Sequence, residues 1–149
     1  MKAAIVYASV HHGNTKKVVE EMANAISAEV IDITKNENPS LSQYDVIGFA
    51  SGIYFNSFHK EMSKYIQEAD FTPNQRVFLV YTCCLAVRDY SKGIKKVLSK
   101  KKIPCIGSFH CRGYDTFGIF GKIGGIAKNH PNDKDLKNAQ EFALKIRQE

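Results

Sequence analysis

An apolar run, Ala3-Ala4-Ile5-Val6-Tyr7, passes into the polar stretch Ser9 to Thr15 and from there directly into a helical pattern. An uninterrupted apolar run of this length, bounded by a turn, is a strand buried on both faces. The turn is rich in hydroxyl, amide and imidazole groups and ends at a helix N-terminus. The first N–H groups of a helix lack internal partners, and the macrodipole places roughly half a positive charge there. A phosphate satisfies both, and side-chain donors from Ser9, His11, Asn14 and Thr15 can close around its remaining oxygens. Gly13 admits a positive φ and a close backbone approach. The turn lacks the Gly-Lys-Ser/Thr ending of a triphosphate loop and the three spaced glycines of the dinucleotide fingerprint, so a phosphate monoester suits it better than a pyrophosphate. The plainer reading is a helix cap by Asn14 or Thr15 with no ligand.

The rest of the chain alternates strand and helix patterns, which favours a parallel sheet covered on both faces. Strands are expected at 3–8, Glu29 to Ile33, Val46 to Ala50, Val77 to Tyr81 and Ile103 to Phe109. The first helix, from Asn14, turns Val19, Met22, Ala23 and Ile26 inward. Phe58, Met62, Tyr65 and Ile66 recur at the spacing of one helix face, as do Tyr90, Ile94, Val97 and Leu98. The last helix starts at Asn132, its cap, carries acids in its first turn, and buries Leu136, Ala139, Ala143 and Ile146.

The stretch Tyr7-Ala8-Ser9 leading to Gly13-Asn14-Thr15 resembles the phosphate loop of the flavodoxin family, whose usual form is Ser/Thr-x-Thr-Gly-Asn-Thr. Gly-Asn-Thr is intact. One extra residue separates Ser9 from Thr15, and His11-His12 stands where the family has threonines; each ring either donates to the phosphate or points to solvent. The resemblance implies an α/β, doubly wound five-stranded parallel sheet in the order 2-1-3-4-5, helices on both faces, formed by a single domain over 1–149. It also implies FMN as cofactor, at the carboxyl ends of the strands beside the switch between strands 1 and 3.

That rule directs attention to two further loops. After strand three the chain reads Ser51-Gly52-Ile53-Tyr54-Phe55, with two rings at the mouth of an apolar strand. The resemblance implies that this segment contacts the isoalloxazine ring and that a peptide near the glycine can turn toward flavin N5. The alternative for Tyr54 and Phe55 is packing under the next helix. After strand four come Thr82, Cys83 and Cys84, small and thiol groups where flavodoxins often carry an acid and a stacking tyrosine. Fewer negative charges near the ring imply that full reduction is easier than in a strongly acidic flavodoxin.

Composition narrows the remaining options. At 149 residues and 44% hydrophobic, the chain suits one domain with one sizeable core. No apolar run approaches the ~20 residues of a membrane span, and nothing at the N-terminus resembles a signal peptide, so a cytoplasmic location is expected. Four cysteines are expected as reduced thiols, without metal-site spacing. The net charge is +6, with Lys92, Lys95, Lys96, Lys100, Lys101 and Lys102 on and after one helix. Such a run is either a solvated face or a docking face for an acidic redox protein; no nucleic-acid motif accompanies it. The apolar segment from Cys111 to His130 is long for a loop. It has three uses open to it: covering the flavin, covering the fifth strand, or forming a homodimer interface in place of a monomer.

Three function classes follow: an FMN-binding electron-transfer protein, an FMN-dependent reductase (an oxidoreductase acting on a quinone or other small acceptor), and a domain that has lost its cofactor and serves as a binding module. Electron transfer is preferred, because the phosphate loop carries over while no catalytic acid, base or nucleophile is evident.

Overall fold

The computed structural model describes residues 1–116 and 119–149. Its parallel sheet has the order β2-β1-β3-β5-β6, formed by β1 (Ala3–Ala8), β2 (Glu29–Asp32), β3 (Val46–Tyr54), β5 (Arg76–Cys83) and β6 (Cys105–Arg112). This is the expected topology, with one addition. A two-residue strand, β4 (Ser57–Phe58), folds back antiparallel on the end of β3.

Alternation along the strands sorts the core into two layers. Ala4, Val6, Ile47, Phe49, Val77, Leu79 and Tyr81 face helices α2 (Lys60–Glu68) and α3 (Lys92–Lys100). Ala3, Ile5, Tyr7, Val46, Ala50, Phe78 and Val80 face α1 (Asn14–Ile26) and α5 (Asp133–Gln148), the latter preceded in the chain by the four-residue α4 (Ile119–Lys122). Burial on both faces explains why β1, β3 and β5 read as near-continuous apolar runs. Helix α1 buries Thr15, Val18, Val19, Met22, Ala23 and Ile26, one stripe at helical spacing, and closes on Ser27 in the left-handed region, whose N–H bonds Ala23 O. Helix α5 starts in the expected manner: Asp135 N donates to Asn132 Oδ1 and Asn132 N to an Asp135 carboxylate oxygen, both at 2.9 Å. Among the described residues no helix is long and apolar enough to cross a membrane.

Several expected boundaries are corrected. Strand β3 runs four residues beyond Ala50, because its ladder with β5 continues to Gly52 opposite Thr82 and Tyr54 pairs with Ser57. Ser51 to Tyr54 are therefore strand residues, as are Thr82 and Cys83 at the end of β5. Phe58 belongs to β4 and Tyr90 precedes α3; both rings enter the same layer as the helical residues after them, which mimics helical spacing in the sequence. β6 starts at Cys105 and continues to Arg112. The cap of α1 is Gly13, at φ 64°, with no side-chain cap bond, so Asn14 and Thr15 are helix residues.

The loop into α3 is anchored at Asp89, which accepts hydrogen bonds from Ser91 N at 2.9 Å, Ser91 Oγ and Lys95 Nζ at 2.9 Å. Burial raises its carboxyl pKa, but these bonds outweigh burial and hold it at about 2, below its ordinary 3.8. A depressed folded-state pKa contributes stability that is complete above the unfolded value and lost as pH falls through the folded one. Asp89→Asn is thus expected to lower the denaturant midpoint at pH 6, and the difference from wild type should shrink between about pH 4 and pH 2. A difference that is constant with pH would show that the charge contributes nothing.

Candidate functional site

Four segments meet at the carboxyl end of the sheet around a cavity of about 340 Å³, a size within the usual range for cofactor sites. They are the β1–α1 turn, the β3–β4 hairpin, the end of β5 with its following loop, and the exit of β6.

The β1–α1 turn supplies His11, Asn14 and Thr15 to the wall. Consecutive left-handed residues, His12 at φ 56° and Gly13 at φ 64°, bring the chain abruptly into the helix. A Cβ on Gly13 would meet nothing within 4 Å, so its conformation and not crowding calls for glycine. The first turn of α1 has neither a side-chain cap nor an acidic residue, which leaves its N-terminal dipole unneutralised. Thr15 is buried, and its hydroxyl lies 2.9 Å from that of Thr82 on β5. Asn14 Nδ2 donates to Tyr114 O at 2.8 Å.

The hairpin forms the aromatic wall with Gly52, Ile53, Tyr54, Phe55 and Asn56. Phe55 (φ 49°) and Asn56 (φ 63°) are its two turn residues, the double positive φ that suits the twist of a tight hairpin. Phe55 occupies a sparsely populated conformation for an aromatic residue and is 87% exposed, so packing beneath α2 is excluded for it. Tyr54 folds back over Gly52, where a Cβ would lie 2.8 Å from the tyrosine oxygen. Burial raises the Tyr54 pKa, against a hydrogen bond from Val10 N at 3.4 Å.

Thr82, Cys83, Cys84 and Tyr90 close the third side. Cys83 is buried, and desolvation pushes its thiol up to about 11. Burial, then a hydrogen bond with Asp115, raises Cys84. Both thiols are therefore protonated at neutral pH and poor nucleophiles.

Ten of the side chains expected at the site line the cavity. Three do not: Ser9, Gly13 and Ser51. Ser51 is fully buried and serves the backbone, donating to Gly52 O at 2.6 Å and accepting from His59 N at 2.9 Å.

The fourth side, Gly113, Tyr114 and Asp115, was visible in the sequence only as part of the long apolar segment. Tyr114 to Thr116 lie against the β1–α1 turn: His12 Nε2 is 2.9 Å from Thr116 Oγ1, and the His12 and Tyr114 rings are 4.4 Å apart. Further on, Asp115 and Ile126 exchange backbone hydrogen bonds across a short bridge. Of the three uses open to this segment, its described residues Gly113 to Asp115 serve the one of covering the cavity, while Phe117 and Gly118 lie outside the described residues. The loop after β5 is expected to offer small and thiol groups in place of an acid and a tyrosine; Tyr90, farther along that same loop, and Asp115, from the exit of β6, put both kinds of group in the wall.

A doubly wound parallel sheet with an anion-ready turn and an aromatic wall at the β1/β3 switch is a flavodoxin-like arrangement. Residues 4–116 match the model of the flavodoxin domain family, and the chain belongs to that family. It is 39% identical over 148 residues to an uncharacterized protein of Methanocaldococcus jannaschii, covering 98% of each chain. Among solved structures, it is similar to oxidised flavodoxin 2 from Bacillus cereus, with a TM-score of 0.75, 13% identity and 99% of both chains covered. It is also similar to a flavodoxin from the domain Archaea, with a TM-score of 0.65, 15% identity, and 99% of this chain and 97% of the other covered.

Proposed function

We propose that this chain binds FMN in the cavity at the carboxyl end of its sheet and acts in electron transfer. The observation that carries the reading is the pairing of an uncapped helix N-terminus, under the left-handed His12–Gly13 turn, with an aromatic wall across the same cavity. The donor set fits such a group. Neutral donors and a helix dipole suit a phosphate monoester without a lysine or arginine in the wall, and Tyr54 with Ile53 offers a flat apolar surface to a ring.

Asn14, Thr15 and the first N–H groups of α1 would hold the phosphate, with His11 at the edge of the same wall. Thr82, on β5, holds the Thr15 hydroxyl in place by direct contact. Tyr54 and Gly52 would bound the ring, and the protonated thiols of Cys83 and Cys84 would pack beside it without taking part in chemistry. Asp115 places a carboxylate in the cavity wall, and negative charge there disfavours further negative charge on a neighbour. FMN, when bound, supplies a ring that accepts and passes on electrons singly or in pairs.

The test is the visible spectrum of the purified protein with added FMN, followed through stepwise anaerobic reduction. Bound flavin that is reduced in two separate one-electron stages is the expected result. Reduction in a single two-electron stage, with turnover of a quinone by a nicotinamide donor, would replace this reading with that of a reductase, and failure to retain flavin would overturn it.

A further inference from the structure

The mouth of the cavity carries an unusual surface. Val10 (52% exposed), Phe55 (87%), Leu85 (40%) and Val87 (70%) all lie on the three loops that frame it, each within three residues of a side chain lining the cavity. Exposed apolar side chains gathered around one opening mark a contact surface more readily than the same residues scattered singly.

Cations stand around them. Arg88 follows Val87, with its guanidinium 6.0 Å from the centre of the Tyr90 ring, itself part of the cavity wall. Lys92, exposed, opens α3 at the end of the loop that carries Leu85, Val87 and Arg88. Lys95 is neutralised by Asp89 at 2.9 Å, whereas no ion pair among the described residues engages Arg88 or Lys92.

We propose that this apolar, positively charged mouth docks an acidic redox protein, one presenting an apolar contact ringed by carboxylates. The proposal rests on the FMN reading, since it is the reacting group in the cavity that gives a partner reason to sit there. Charge complementarity selects the occupant: with a net charge of +6, two copies of this chain repel, while an acidic protein is steered in. A protein partner also brings its own redox centre to the mouth, which a lipid surface would merely seal.

The probe is a small acidic iron–sulfur ferredoxin, its binding measured by calorimetry with and without FMN on the protein. Affinity is expected to fall about tenfold or more between about 20 and 300 mM salt, since contacts among exposed charges are screened over this range. Arg88→Glu with Lys92→Glu should weaken binding about tenfold at low salt and remove most of the salt dependence; Val87→Asp should weaken it at both salt concentrations. The remote pair Lys137→Glu with Lys145→Glu on α5 should leave affinity nearly unchanged and controls for net charge. Equal losses from the remote pair, or no binding at low salt, would overturn the proposal. So would Val87-dependent binding to phosphatidylserine vesicles, or self-association in sedimentation that Val87→Asp abolishes. The flavin spectrum, recorded on every sample, reports the FMN reading separately: intact flavin with failed docking counts against the surface alone.

Discussion

Replacing Asn14 and Thr15 together with alanine is expected to weaken FMN binding by about a hundredfold or more. Each side chain would contribute a hydrogen bond to a charged group, and such bonds are worth about 1.5–3 kcal/mol. Both are at the opening of α1, where the dipole attracts an anion but cannot orient it. The two positions differ in what else they do. Thr15 is paired with Thr82 inside the fold, so Thr15→Ala also leaves a buried hydroxyl short of a partner, at a cost to stability of about 1–3 kcal/mol. Asn14 ties the helix to Tyr114 O and so holds the exit of β6 against the turn. Thr15→Ser, which keeps the hydroxyl, should retain most of the affinity. Flavin titration by fluorescence quenching, alongside denaturant midpoints, separates the two effects; unchanged affinity in the folded double variant would remove the phosphate from this turn.

Gly48→Val should be the most damaging single change to the fold, lowering stability by about 3 kcal/mol. Gly48 is at the middle of β3, opposite Ile5 of β1 and Phe78 of β5. A Cβ there would fall 2.4, 2.7 and 3.1 Å from atoms of the Phe78 ring. That ring is fully buried and held edge-on by Phe142 of α5, with centroids 6.0 Å apart, so it has nowhere to retreat. Cores packed this densely answer added volume with strain. Urea unfolding followed by circular dichroism checks the value. Combining Gly48→Val with Phe78→Leu should destabilise less than the sum of the two changes, because each relieves the other. Strict additivity would mean that the ring does not occupy the space above Gly48.

The Phe78 ring illustrates where sequence reading stops. A glycine inside an apolar strand is visible in the sequence, but its reason is a ring thirty residues away, brought alongside by the sheet. Ser51 shows the same limit from the other direction. Its hydroxyl, next to a glycine and two aromatics, suggests a ligand contact, yet it donates to the adjacent Gly52 O and accepts from His59 N, which the hairpin brings within reach. Phe58 and Tyr90 match helical spacing without being helical, since strand and helix residues that enter one layer need only be buried together.

What the chain discloses in order is what depends on neighbours in order. The buried run of β1, the left-handed Gly13 before α1, the amphipathic stripe of that helix and the Asn132 cap of α5 are all local, so periodicity and capping chemistry reveal them. From them the alternating architecture and the anion-ready turn follow. The composition of the cavity wall depended instead on tertiary structure. Tyr114 and Asp115 are a hundred residues from the turn they adjoin, and only the parallel sheet, by ending β1, β3, β5 and β6 at one edge, makes them neighbours of Asn14, Tyr54 and Cys84. Contact across such separations is set by strand order and packing, which no local pattern encodes.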